Sequence, residues 1–449
     1  RCDGGCCVRC RRAGGPRAGL RRAATDRGDD AVTAEPRRPG PITLRARHVL
    51  PIASPPLDGG WVRIDRGRIV AVGRRSPDGP TVDLGEAILM PGLVNAHTHL
   101  EFSDLDRPLP AAGGLPAWIG RVVAVRRDRG TDSTEATRLA AAVARGLRES
   151  AAAGVTAVGE IATACHPVAE SPGPRVRVFR ETLGLSAAAM TTAGTALRRA
   201  LRRPSGAGQE DGISPHAPYS VGMPLGLQAV REAVRRRIPV AMHLAECQDE
   251  AELLATGGGS LRALLEQLGA WRLEAPPRLL TAADWISLLA RAPRGIVVHG
   301  TYLPDDPVAL ARLTRHRDRL SVAVCPRTTR VLSGRLPPVA AFRSAGIRVA
   351  IGTDSRASNP DLSILAECRT LVEGGVADPA EVLSMATLHG GWALGFEDRC
   401  GRIACGRPAD LAVLRPSGRY RDPYAAAIEP DSLVTATLRV GRVIAGRLD

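Results

Sequence analysis

Eight short apolar runs, each followed by a helix-like stretch, constrain this chain more than any other feature. They are "ILMPGLVNAH" (88–97), "GVTAVGEI" (154–161), "RVRVFRETLG" (175–184), "GISPHAPYS" (212–220), "PVAMHLAE" (239–246), "GIVVHG" (295–300), "SVAVCP" (321–326) and "RVAIGTDS" (348–355). Between them lie segments such as "STEATRLAAAVARGLRESAAAG" and "MPLGLQAVREAVRRR", whose apolar residues recur at helical spacing. Short, nearly continuous apolar runs suit strands covered on both faces, and parallel strands need helical crossovers. Eight βα units in a row therefore predict an α/β fold, a (β/α)8 TIM barrel. The widest gap, between the fifth and sixth runs, contains "TGGGS" and "EAPP" and reads as an inserted excursion.

The flanks have a different texture. "ITLRARHVLPI", "WVRIDRGRIVAVG" and "TVDLG" alternate apolar with polar residues and are broken by Gly and Pro, as are "GRIACGRPADLAVLRP" and "LVTATLRVGRVIAGRL" near the other end. That alternation marks short antiparallel strands. The two flanks are expected to pair into one small β-sandwich built from N- and C-terminal segments. The expected division is 41–90 and 399–449 for the sandwich and 91–398 for the barrel. Residues 1–40 are expected to be a disordered or mis-extended segment.

The formal charge is +15, and all 61 basic residues are arginine. Ten of them fall in residues 1–40 against five acids, and the rest are scattered. No basic stripe is interleaved with aromatics, which argues for a solvated surface and against a nucleic-acid partner. No stretch approaches the ~20 apolar residues of a membrane span, and the arginine-rich start has no apolar h-region. A cytoplasmic protein with no membrane partner is expected, with homo-oligomerisation left open. Cys2, Cys6, Cys7 and Cys10 crowd the start, but no second pair at zinc-knuckle spacing follows. The other six cysteines read as reduced thiols.

Active sites of such barrels lie at the C-terminal mouth, so polar strand ends read as chemistry. Run one ends in His97-Thr98-His99, where i and i+2 point to the same side of a strand. Run four carries His216, run five His243 and Glu246, run six His299, and run eight Asp354. Singly each has an ordinary alternative: a core histidine, a turn-capping Asp, a solvated Glu. Together they suggest a metal centre. Three imidazoles and a carboxylate suit one divalent ion, Zn²⁺ first and Fe²⁺ second, with a position left for water. The absence of lysine rules out a carbamylated-lysine bridge and favours a single ion. Glu246 stands where it can give a proton to a substrate nitrogen, while His299 and Asp354 can hold and deprotonate the attacking water.

"PGLVNAHTHLEFSDL", "HLAE", "VVHG" and "GTDS", in this order between two sandwich halves, resemble the amidohydrolase superfamily. More narrowly they resemble its mononuclear branch of chlorohydrolases and cytosine or aminopurine deaminases. "HTHLEFS", "HAPYSV" and the stretch from "CPRTTRVLSGR" to "TDSRASN" look most like aminodeoxyfutalosine deaminases of the alternative menaquinone pathway. The chain departs from that pattern at "RTTR", where an asparagine is expected. The resemblance implies metal ligands His97, His99, His243 and Asp354, a general acid/base Glu246, a nucleophile-orienting His299 and a substrate-contacting His216. It implies hydrolytic deamination of an aminopurine-type small molecule, with 6-amino-6-deoxyfutalosine as leading substrate and metal hydroxide attacking C6. Adenosine-like thioethers, guanine and triazines are the alternatives within that chemistry. A barrel that has lost catalysis would show a vacancy among these residues, and none is seen.

Pocket residues are read two ways each. Phe102 and Trp118 either stack the purine or pack the core. Arg327 or Arg330 either pairs with a substrate carboxylate or lies at the surface. Ser355 and Asn359 either line the pocket or form the turn after Asp354.

Overall fold

The computed structural model describes residues 40–448, apart from 75–78, 130–132, 164–172, 203–205, 207 and 272–278. The N-terminal cysteine group, Cys165 and His166 therefore lie outside the described residues. Eight parallel strands run in sequence order: Leu93–Thr98, Val155–Ala162, Arg175–Thr182, Gln209–Pro215, Val240–Leu244, Gly295–His299, Leu320–Val324 and Arg348–Ile351. We refer to them as barrel strands one to eight. Each carries an apolar face toward both the interior and the outer helices, which is why their runs lack alternation.

The barrel closes between strands one and eight. Thr98 bridges Asp354 in parallel register, and Thr353 N and Asp354 N donate to the His97 carbonyl at 3.0 and 3.1 Å. His99 N returns a bond to the Asp354 carbonyl at 3.3 Å. The buried Asn95 amide reinforces this seam, donating to Thr353 Oγ1 at 2.8 Å and accepting from Thr353 N at 3.2 Å. Inside, small side chains (Ala96, Ala157, Ala241, Ala323, Ala350) alternate with Ile161, Phe179 and Val298, and Leu394 and Phe396 pack into the same cluster. Outside, helices present one apolar face. In Met223–Arg236 the buried residues are Leu225, Gly226, Ala229, Val230 and Ala233. Gly226 allows a close approach, since a Cβ there would sit 2.5 Å from the Trp285 ring.

Two further sheets form the sandwich. One is four-stranded (Arg68–Gly73, Trp61–Asp65, Ile42–Arg45, Thr81–Asp83) and the other six-stranded. The six-stranded sheet joins both flanks, because Ile88–Pro91 pairs antiparallel with Leu411–Arg415 and parallel with His48–Val49. Leu44, Val62, Ile69, Leu89, Leu411 and Leu438 share its core. Run one of the sequence is thus two elements, not one. Ile88–Pro91 belongs to the sandwich and Leu93–Thr98 to the barrel. The chain changes sheets at Gly92, where any Cβ would collide with the Thr156 side chain. Run four ends earlier than its sequence pattern, at Pro215, and run eight at Ile351, so His216 and Asp354 stand just beyond their strands. The excursion after strand five is helical, with Gln248–Thr256, Ser260–Gln267 and Ala282–Leu289. No described helix is long and apolar enough to cross a membrane.

Candidate active site

The strand-end histidines converge at the barrel mouth. Nε2 of His99 and Nε2 of His243 lie 3.3 Å apart, and each of His97 and His99 has Nε2 3.7 Å from Asp354 Oδ1. Ligand atoms of His97, His243 and His299 fall within 4.8 Å of one another, as do those of His97, His99 and Asp354. Both ring nitrogens of His97 and Nδ1 of His99 are buried without a hydrogen-bond partner among the described residues. Orphaned buried nitrogens facing a carboxylate are a costly arrangement unless a cation joins them. The donor set therefore fits a divalent ion, with neutral imidazole nitrogens and one carboxylate.

Burial makes these imidazoles ready ligands. It lowers His97 to about 3 and holds His99, His243 and His299 well below the usual histidine range, so each ring is neutral at pH 7. His243 Nδ1 faces the His216 carbonyl at 2.9 Å. A carbonyl only accepts, so Nδ1 carries the proton and Nε2 keeps its lone pair for the centre. Asp354 is held from behind. Ser358 Oγ donates to its Oδ2 at 2.6 Å, and Thr98 Oγ1 donates to its backbone carbonyl at 2.6 Å. The remaining oxygen, Oδ1, points at the histidines.

Three residues here have left-handed backbones without being glycine: Ala245 (φ 53°), His299 (φ 67°) and Asp354 (φ 55°). Each stands at or just past a strand end, and such strain concentrates where side chains must be aimed. After Ala245, the Glu246 carboxylate turns back over the centre, with Oε1 3.4 Å from His299 Nε2. Glu246 is buried, and desolvation, then Asp354 and Glu250, push its carboxyl well above the usual range. It is held as the acid form. Glu250, one turn into the next helix, receives Ala245 N at 2.8 Å and Glu246 N at 3.2 Å, which locks the turn.

A cavity of about 340 Å³ opens over the centre, a size suited to a small organic ligand. His99, His216, His243, Glu246, His299, Asp354 and Ser355 form its floor. The roof is apolar: Leu115, Trp118, Ile119 and Val122 come from helix Gly114–Asp128, and Leu261, Leu264 and Leu265 from the excursion. His216 Nδ1 lies 2.6 Å from Ser220 Oγ.

Phe102 and Trp118 both reach the cavity. Phe102 is buried with the guanidiniums of Arg126 and Arg129 each 5.3 Å from its ring centroid, and Trp118 Nε1 donates to the Ala357 carbonyl at 3.2 Å. Arg327 is not brought to the cavity. Its guanidinium is taken up by Glu367 (2.8 Å) and Asp361 (2.7 Å), tying two helical segments together. Arg330 is exposed, away from the lining residues. Asn359 is buried and donates to the Thr353 carbonyl and to Glu367, both at 2.7 Å, so it fixes the turn after strand eight. His48 and His389 have structural partners, Tyr420 Oη at 2.9 Å and the Val349 carbonyl at 3.0 Å.

Sequence reasoning missed four titratable groups around this floor: Glu160 and Glu250, which are buried, and Glu181 and Arg126, which are half-buried. Glu160 Oε2 accepts from Leu100 N at 2.9 Å and so fixes the turn after His99. Arg126 lines the cavity and pairs with Glu101 at 2.6 Å. Glu160 and Glu181 stand two and one residues before the ends of strands two and three, much as His97 stands one before the end of strand one, and that placement was the available signal.

A model of the amidohydrolase family matches residues 88–444. The 5-methylthioadenosine/S-adenosylhomocysteine deaminase of Moorella thermoacetica is 28% identical over 400 residues, covering 84% of this chain and 86% of that protein. The crystal structure of Helicobacter pylori aminofutalosine deaminase superposes with TM-score 0.76 at 22% identity, over 90% of this chain and all of that one. An adenosine deaminase from Xanthomonas campestris, solved with bound zinc, gives TM-score 0.66 at 25% identity over 91% and 93% of the two chains.

Proposed function

This chain belongs to the amidohydrolase family, and from that premise we propose that it deaminates 6-aminopurine nucleosides, with 6-amino-6-deoxyfutalosine as the leading substrate. It is a hydrolase of C–N bonds in cyclic amidines. The observation that carries the deamination reading is Glu246, a buried carboxyl held protonated above a cluster of neutral imidazoles and 3.4 Å from His299. Amidine deamination needs such an acid, because the ring nitrogen beside the amino-bearing carbon must gain a proton as water adds.

His97, His99, His243 and Asp354 would hold the divalent ion, zinc first. When bound, the ion supplies Lewis acidity that makes a water nucleophilic near neutral pH. The rest falls to the chain. Glu246 gives its proton to the ring nitrogen, which places the tetrahedral carbon between it and the imidazole cluster. His299 accepts a hydrogen bond from the attacking water and keeps it below the ring face, while Asp354 Oδ1 takes its proton. Asp354 passes that proton to Glu246, which delivers it to the departing ammonia, and the proton left on the new hydroxyl returns to Glu246 as the C=O bond forms. The roof from the two helices excludes bulk water from these transfers.

The relatives named for adenosine-like substrates support the nucleoside class. The long apolar roof supports an aromatic ring beyond the sugar, such as that of the benzoate on aminodeoxyfutalosine, over the aliphatic zwitterionic tail of S-adenosylhomocysteine. An ammonia-release screen of metal-loaded protein tests the reading against aminodeoxyfutalosine, 5′-methylthioadenosine and adenosine, with guanine and triazines as controls. The nucleosides are expected to react, aminodeoxyfutalosine fastest. No ammonia from any amino-heterocycle, with metal bound, overturns deamination.

A further inference from the structure

Three buried polar atoms near the end of barrel strand three have no hydrogen-bond partner among the described residues. They are Oε1 and Oε2 of Glu181 and Nε of Arg126. Buried acceptors and donors are nearly always matched, so an unmatched group beside a cavity points to a partner from outside the chain. Strand three delivers Glu181 one residue before its end, with a carboxylate oxygen within 4.8 Å of ring nitrogens of both His216 and His243. Those two histidines line the main cavity, as does Arg126. Glu181 itself borders an adjoining cavity of about 300 Å³, and Leu183 lines both. Arg126 pairs with Glu101 through a terminal nitrogen and lies in the field of Glu181 as well, while its Nε has no hydrogen-bond partner among the described residues.

We infer that Glu181, with Arg126 Nε and His216 beside it, is the subsite for a vicinal diol of the substrate, the 2′,3′-hydroxyls of the nucleoside sugar. A carboxylate with two free oxygens takes two neighbouring O–H donors at once, and a guanidinium N–H donates back to a hydroxyl oxygen. A substrate carboxylate fits this place poorly, because it would meet Glu181 directly. A second metal ion is the competing occupant. It lacks a third ligand here, since His243 Nδ1 is spent on the His216 carbonyl and its Nε2 faces the main donor set. Burial raises Glu181 to about 7, with Arg126 opposing the rise, so a good part of it is the acceptor-only carboxylate at neutral pH.

This inference rests on the nucleoside reading above, and its test separates the two. The probe is whichever of aminodeoxyfutalosine, 5′-methylthioadenosine and adenosine the wild type deaminates best, compared with its 2′,3′-dideoxy counterpart. Loss of the diol is expected to lower wild-type kcat/KM about 10²-fold or more, as for a site built around a hydroxyl. Glu181→Gln keeps the size and removes one acceptor. It should lower riboside kcat/KM by about 10- to 10²-fold, mainly through KM, and change the dideoxy counterpart less than about threefold. Metal content, measured by atomic absorption, should stay unchanged. Equal turnover of riboside and dideoxyriboside by the wild type overturns the diol subsite while leaving deamination intact, and that arm needs no variant. An equal loss on both substrates, or loss of metal from E181Q, also overturns it. No turnover of any nucleoside overturns the nucleoside reading, and the subsite with it.

Discussion

The role proposed for Glu246 depends on surroundings that deny it water. Burial, Asp354 and Glu250 together keep the carboxyl protonated, although a solvated glutamate would be ionised. Glu246→Gln keeps the shape and the hydrogen-bond donor but cannot move a proton. Its kcat should fall by roughly 10²–10⁴-fold, with metal content unchanged by atomic absorption. Full activity in that variant would remove Glu246 from the mechanism. At this scale the sequence was most legible where a residue stood at a strand end. His97, His99, His216, His243, Glu246, His299 and Asp354 all meet on one floor. Arg126 and Arg327 show where legibility stops. In a chain whose 61 basic residues are all arginine, residue type says nothing about which one faces a cavity. Only packing separates Arg126, beside His216 and Phe102, from Arg327, which is locked onto Asp361 and Glu367.

At the scale of elements, the strand-to-helix turn after barrel strand five is the part that aims the chemistry. Ala245 bends the chain into a left-handed conformation, Cys247 caps helix Gln248–Thr256, and Glu250 ties both turn amides. Burial raises Glu250 to about 7, against about 4.5 in an unfolded chain. A folded value above the unfolded one means that this group's stabilising contribution is full below about pH 4.5. It is lost as pH rises through about 7. Glu250→Gln cannot titrate and offers one carbonyl oxygen for two backbone donors. The wild type's advantage in Tm over this variant should therefore be largest near pH 5 and smallest near pH 8. The variant's kcat should fall at every pH, because Glu246 loses its fixed turn. A pH-independent Tm difference would show that Glu250 does not titrate in this window. Sequence reading named Glu246 and passed over Glu250, since an acid in a helix's first turn is the commonest ordinary feature there. The run "ILMPGLVNAH" misled for a related reason. Apolar residues fill both halves, and only the clash of a Cβ at Gly92 reveals the change of sheet.

For the whole molecule, the eightfold βα rhythm and the split sandwich were legible because parallel, doubly covered strands and antiparallel, half-covered ones have different periodicities. The seam was not, because hydrogen bonds between residues 95 and 353 leave no local pattern. That seam also carries three of the four proposed ligands, with Thr98 bridged to Asp354 between His97 and His99. Ion binding and barrel closure should therefore be linked. Chelation is expected to lower Tm by several degrees, and zinc to restore it, as for any ligand bound only by the folded form. An unchanged Tm after verified metal removal would sever that link.

The seam has a further consequence during synthesis. Its two edges leave the ribosome about 250 residues apart, and Asp354, the carboxylate of the proposed ligand set, arrives with strand eight. A nascent chain thus carries paired histidines for most of its elongation without a complete coordination shell. On the proposed ligand set, the coordination shell would be complete only once strand eight is made, so an ion held by all four residues would mark a finished barrel.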